Sequence, residues 1–194
     1  MKSIENEIKD QYSKIFVKKD FTSFKLVAEY YFEKSANLKK SDIKTIDTYK
    51  LLIRNIEKRL LIGIGTELLI KACYLKEGYY INRTEKNRLI KFEDNEESNL
   101  IDKTETFTMN LLIQNFNKIV DFEDWKTIEK GLNIAKVFRN KEGHVVSLYH
   151  DYDNTNYSDI EYSIISIYKK IFNRKLEFKI SMETNDNGLF RIKK

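Results

Sequence analysis

The segment Ala135-Lys136-Val137-Phe138-Arg139-Asn140-Lys141-Glu142-Gly143-His144 gathers the residue types with the most chemical capacity in this chain. An imidazole titrates near neutral pH and serves as general base or general acid. A guanidinium stays protonated and bonds two oxygens of an anion at once. It acts most where negative charge is greatest, which in phosphoryl chemistry is the transition state. Asn140 is placed to orient an anion or to hold one imidazole tautomer. Ala135 and Phe138 continue an apolar helical stripe, and Gly143 is a natural helix stop. Arg139 and Asn140 are therefore expected on a last helical turn, with His144 just past the break. Polar groups at such a place are held firmly while they face solvent.

The remaining composition narrows the chemistry. Among 194 residues there is one cysteine, Cys73, which excludes an internal disulfide framework and a thiolate zinc cluster. It lies in the apolar run Leu69-Ile70-Lys71-Ala72-Cys73-Tyr74-Leu75 and reads as a buried small hydrophobe. The only histidines are His144 and His150, too few for a His-rich metal site. The formal charge of +5 tolerates an anionic partner without demanding one, because acidic and basic residues are mixed. No apolar run approaches the ~18 residues of a membrane span. The first residues have no apolar stretch like that of a signal peptide, so a cytoplasmic location is expected.

The elements that must position these groups are mostly helical. Ile4, Ile8, Tyr12, Ile15 and Phe16 mark a first helix. Asp20 can cap a second, whose stripe is Phe24, Val27, Ala28, Tyr31 and Phe32. Ser41 or Asp42 opens the longest one, which runs through Leu60-Leu61-Ile62-Gly63-Ile64-Gly65 to Ala72. It is apolar nearly all round, as suits a central helix packed on several sides. Gly63 and Gly65 cost about 1 kcal/mol each in helix propensity and allow close approach of another helix. Residues 82–106, with Glu93-Asp94-Asn95-Glu96-Glu97, read as a long solvated connection rather than a metal site. Met109, Leu112, Ile113, Phe116 and Ile119 form another helical stripe, and Trp125 to Phe138 the next. Residues 150–157 read as a loop, and Ser158-x-x-Glu161 as a capping box opening the last helix. Leu176, Phe178 and Ile180 then alternate with charged residues. With Asn185-Asp186-Asn187-Gly188 and Leu189-Phe190-Arg191-Ile192 they predict a terminal β-hairpin that packs on the helices or on another chain.

Arg139-Asn140-x-x-x-His144 resembles the R-x4-6-H motif of HEPN domains, including the Asn that follows the Arg in many members. Glu67-Leu68-Leu69-Ile70-Lys71-Ala72 is similar to the segment that places an acidic residue near that Arg and His. The likeness covers residues 41–173 and leaves the first two helices and the hairpin unexplained. It implies an all-α fold: a HEPN-like helical bundle over 1–173 with a small C-terminal β-hairpin as an appendage over 174–194.

The resemblance also implies a metal-independent endoribonuclease without cofactor, acting as toxin or effector in prokaryotic defence such as abortive infection. In that scheme the 2′-OH of RNA attacks the adjacent phosphorus. Arg139 and His144 are catalytic, Asn140 orients the phosphate or the imidazole, and Glu67 orients Arg139 or His144. Lys136 and Lys141 extend phosphate contact. Base and acid together call for two imidazoles, and a homodimer with a composite site at its interface supplies His144 from each chain. His150 is the in-chain candidate, but beside an acidic loop it reads as a loop residue. Val146 stands where some relatives carry a regulatory Tyr, which argues against that regulation here. The implied partners are RNA and an antitoxin or defence-system protein, with no membrane. The competing expectation is a non-catalytic module of the same shape that binds RNA, a nucleotide or a partner protein.

Overall fold

The computed structural model describes residues 20–38, 48–94, 105–144, 154–181 and 189–193, with backbone alone for 48–51, 142–144 and 154. The expected first helix, the Ser41 or Asp42 start and the Asn185–Gly188 turn lie outside the described residues. Among the described residues five α-helices precede a two-stranded sheet: α1 (Thr22–Asn37), α2 (Thr48–Lys76), α3 (Met109–Ile119), α4 (Trp125–His144), α5 (Asn154–Phe172), β1 (Lys175–Lys179) and β2 (Leu189–Lys193). The chain is mostly helical with a small C-terminal hairpin, as the periodicity predicts. Among the described residues no helix is long and apolar enough to cross a membrane.

The long helix α2 is central because α1, α3 and α4 all pack against it. Its Ile62, Leu69, Ile70, Ala72, Cys73 and Tyr74 are fully buried, so several of its faces are covered. Burial also drives the Cys73 thiol well above its ordinary pKa, which suits an inert core side chain. Both glycines of α2 sit at close approaches. A Cβ on Gly63 would lie 2.5 Å from the backbone nitrogen of Arg139 on α4. One on Gly65 would lie 2.8 Å from the Phe32 ring on α1. At these two points α2 lacks side chains, and α4 and α1 fill the space.

Three local expectations give way in the fold. Of the expected connection over 82–106, the described residues 82–94 are mostly exposed, but Asn82, Thr84 and Ile90 are buried, so it is folded onto the helices in part. Isolated bridges pair Tyr79 with Lys91 and Asn82 with Thr106. Residues 95–104 lie outside the described residues. The last helix begins at Asn154, so Ser158 is inside it rather than at its cap. Glu161 instead accepts hydrogen bonds from the backbone nitrogens of Ile180 and Ser181 in the tail. Finally, α4 runs through Gly143 to His144, so His144 closes the helix rather than following a break; a single glycine costs a helix only about 1 kcal/mol.

The hairpin is antiparallel, with Leu176 opposite Ile192 and Phe178 opposite Phe190. Period-two alternation turns Leu176 and Phe178 inward, where with Ile180 they join the helical core. The Phe178 ring lies 5.0 Å from that of Phe32 on α1. Lys58 of α2 closes the junction by donating to the carbonyl oxygen of Ile180 at 2.6 Å.

Candidate functional site

The site is built where α2, α4 and the start of α3 meet. Glu67 lies on α2 one helical turn after Gly63, whose missing side chain lets α4 come close enough for contact. Arg139 Nε then reaches Glu67 Oε2 at 2.9 Å. Glu67 Oε1 also takes Lys71 Nζ at 2.8 Å, an i,i+4 pair along α2. One carboxylate thus holds two cations. Its own side chain is 13% exposed, whereas that of Arg139 is 40% exposed. The carboxylate is anchored at the edge of the core and the guanidinium reaches outward from it.

The outer part of the guanidinium is also fixed. Arg139 Nη1 donates to Asn140 Oδ1 at 3.2 Å. A guanidinium has five N–H groups in a planar fork, so Glu67 and Asn140 engage part of it and leave donors for a further anion. Glu67, Arg139 and Asn140 line a cleft of about 340 Å³ together with Thr106, Phe107, Thr108, Met109 and Asn110. That volume lies within the ~300–1,000 Å³ of ordinary ligand sites.

The residues from Thr106 to Asn110 are the part of the site that motif reading missed. Thr108 is the N-cap of α3, with extended backbone and a side chain that accepts from Leu111 N at 3.4 Å. Met109 and Asn110 form the first turn, where backbone N–H groups have no intrahelical acceptor and the helix dipole is positive. A threonine directly before an apolar periodic run was a usable signal for that cap. Its closeness to Arg139 was not, because 30 residues of chain separate Met109 from Arg139.

The other expected residues distribute as follows. Lys136, one turn before Asn140, donates to Asn133 Oδ1 at 2.7 Å and to Asn110 Oδ1 at 3.0 Å. It joins α4 to the first turn of α3 beside the cleft. Lys141 is exposed on the next position of α4. His144 is the last residue of α4, four positions after Asn140 and five after Arg139. The backbone therefore carries it on the Asn140 side of the helix, while its side chain lies outside the described residues. Val146 and His150 also fall outside them. Among the described residues no group of three or more His, Cys, Asp or Glu could hold a metal ion.

The arrangement can grip an anion between a fixed guanidinium, an amide and a helix N-terminus. Compared with protein-family models, curated proteins and solved structures, the chain matches none of them. The geometry and the sequence motif therefore carry the functional reading.

Proposed function

We propose that this chain is a HEPN-type endoribonuclease that cleaves RNA by transesterification. The observation that supports this most is the Glu67–Arg139 pair: it sits on the wall of an open cleft with room for a phosphate, not in the sealed core. Arg139 supplies charge to the non-bridging phosphoryl oxygens, and Glu67 fixes its direction. Asn140 orients the same group.

In the reaction the ribose 2′-oxygen attacks the adjacent phosphorus and gives its proton to one imidazole. The bond from phosphorus to the 5′-oxygen breaks, and a second imidazole donates a proton to that oxygen. The products are a 2′,3′-cyclic phosphate and a 5′-OH, with no net change in protons. His144 from each of two protomers fills the two roles. Added charge on the pentacoordinate phosphorus is what Arg139 stabilises most. Expression of such an enzyme halts cell growth, which is the effector role in prokaryotic defence.

Incubation of the purified chain with total RNA in EDTA, followed by sequencing of the cut ends, tests the scheme. Cyclic-phosphate ends from the wild type, and none from Arg139→Ala or His144→Ala with unchanged circular dichroism, are expected. Full cleavage by either variant would falsify the mechanism. RNA binding by the wild type without cut ends would assign the cleft to non-catalytic recognition.

A further inference from the structure

A second cleft, of about 360 Å³, adjoins the first and shares its lining at Thr106, Phe107 and Thr108. Arg83, Asn87, Glu105 and Leu111 complete it. We propose that it is a subsite for the nucleotide flanking the cleaved linkage in single-stranded RNA, with Arg83 contacting that nucleotide's phosphate. The assignment rests on the reading of the first cleft as the place where RNA is cut.

The shared wall is rigid. Arg83 N donates to Glu105 O at 2.9 Å and Phe107 N to Ile81 O at 2.8 Å, bracketing the bridge between Asn82 and Thr106. A strip of backbone with Phe107 buried beneath therefore runs from one cleft to the other. Around the strip the side chains of Arg83, Asn87, Glu105 and Thr108 are exposed, and half-buried Leu111 supplies an apolar part of the lining. Arg83 Nη1 meets Glu105 Oε2 at 3.1 Å, but both side chains are 53% exposed. Such surface pairs contribute only about 0–1 kcal/mol, so a phosphate can replace the carboxylate on the guanidinium. Arg83 is thus fixed at its backbone and adaptable at its tip.

The opposite edge is a turn closed by Asn87 N donating to Thr84 O at 3.1 Å and Thr84 Oγ1 donating to Arg88 O at 3.0 Å. Asn87 has a φ of +51°. Asn tolerates that conformation better than most residues, and its amide can donate and accept along a base edge. Hydroxyls at Thr106 and Thr108 on the shared wall suit a ribose. An arginine in each of two adjoining clefts that share the hydroxyl-bearing Thr106 and Thr108 suits a nucleic-acid strand better than an acidic peptide.

The test uses the full chain and a fluorescent 2′-O-methyl oligoribonucleotide, which cannot be cut because its 2′-oxygen is blocked. Anisotropy titrations over a salt series compare the wild type, Arg83→Gln and Asn87→Gly, the last keeping the backbone conformation. The expected result is binding by the wild type, about five- to tenfold weaker binding by Arg83→Gln, and a salt slope shallower by about 0.7. Asn87→Gly is expected to weaken binding less and leave the slope alone. Equal affinity for wild type and Arg83→Gln overturns the subsite even if Arg139→Ala abolishes cleavage. Retained Arg83 dependence in a wild type that cuts no RNA keeps the subsite and overturns only the cleavage reading. Absence of RNA binding, or binding of polyglutamate instead, overturns the subsite.

Discussion

Gly63 on α2 faces the backbone of Arg139 so closely that a methyl group there would lie 2.5 Å from its nitrogen and 2.8 Å from its Cα. The position of the guanidinium is therefore set by what α2 lacks at residue 63 as well as by the carboxylate at residue 67. Backbone cannot rotate aside, so Gly63→Ala forces the two helices apart. Overpacking costs about 1–3 kcal/mol, against roughly 1 kcal/mol gained in helix propensity. Gly63→Ala is expected at the upper end, with loss of RNA cleavage. At Gly65 the neighbour is the Phe32 ring, which is a side chain, and it lies away from the cleft. Gly65→Ala is expected to cost less and to keep cleavage. Thermal melts and cleavage assays on both variants check the contrast. Equal effects of the two on cleavage would contradict it.

Glu67 joins Lys71 and Arg139, so a neutral isostere should separate stability from catalysis. In Glu67→Gln the Lys71 side chain, 10% exposed, loses its carboxylate. Leaving a nearly buried charge with a weaker partner costs about 1–3 kcal/mol. Arg139 is more exposed and stays charged, but its direction loosens. A misplacement of that kind can lower turnover by about 100-fold. The expected signature is a lowered melting temperature and a kcat reduced far more than KM is raised. An unchanged kcat would show that Glu67 has no positioning role.

Legibility in the sequence followed the range of the interaction. Helical stripes such as Met109-Leu112-Ile113-Phe116 and the alternation Leu176-Phe178-Ile180 are local, and each became the element its period predicts. Gly63 and Gly65 were readable as close approaches, although not which helices approach. Within 82–94 the polar composition matches the exposed side chains, but it hides Asn82, Thr84 and Ile90, which are buried, with Asn82 bridged to Thr106. Gly143 looked like a stop, yet α4 continues to His144, because a single glycine costs a helix only about 1 kcal/mol. For the site, the motif marked Arg139 and Asn140, and the likeness at Glu67 marked their partner. The wall from Thr106 to Asn110 is brought there by tertiary packing of α3, which no short motif encodes.

Lys58 gives the fold a pH dependence of known sign. It is buried at the junction of α2 with the tail, its nitrogen 5.6 Å from the centre of the Tyr157 ring. Burial lowers its pKa from 10.5 to about 8, partly offset by the Glu161 carboxylate. The unfolded chain therefore holds this proton more tightly than the folded one. Stability should rise with pH between about 8 and 10.5 through this group, and the full penalty stands below that window. At 1.36 kcal/mol per tenfold change the penalty is on the order of 3 kcal/mol. Lys58→Met should remove this rise, so the melting temperature of the variant relative to wild type falls from pH 7.5 to pH 10 (about the span of the window). A difference that stays constant across that range would refute the assignment.

Glu161 is the companion of Lys58 at the same junction. Its carboxylate oxygen Oε1 accepts from the backbone nitrogens of both Ile180 and Ser181, the latter at 2.6 Å. Two charge-assisted bonds to one oxygen hold the end of β1 on α5, while Lys58 takes the Ile180 carbonyl from the other side. Removing the carboxylate leaves two backbone donors without an acceptor and takes from Lys58 the counter-charge that Glu161 supplies on α5. Each hydrogen bond to a charged group contributes about 1.5–3 kcal/mol, so Glu161→Ala is expected to cost at least 2 kcal/mol. Had Glu161 been a capping residue, the loss would appear in the first turn of α5. Instead, hydrogen exchange should quicken at Ile180, Ser181 and the β1–β2 ladder, with the first turn of α5 unchanged. Quickened exchange confined to residues 155–158 would restore the capping role and remove the clasp.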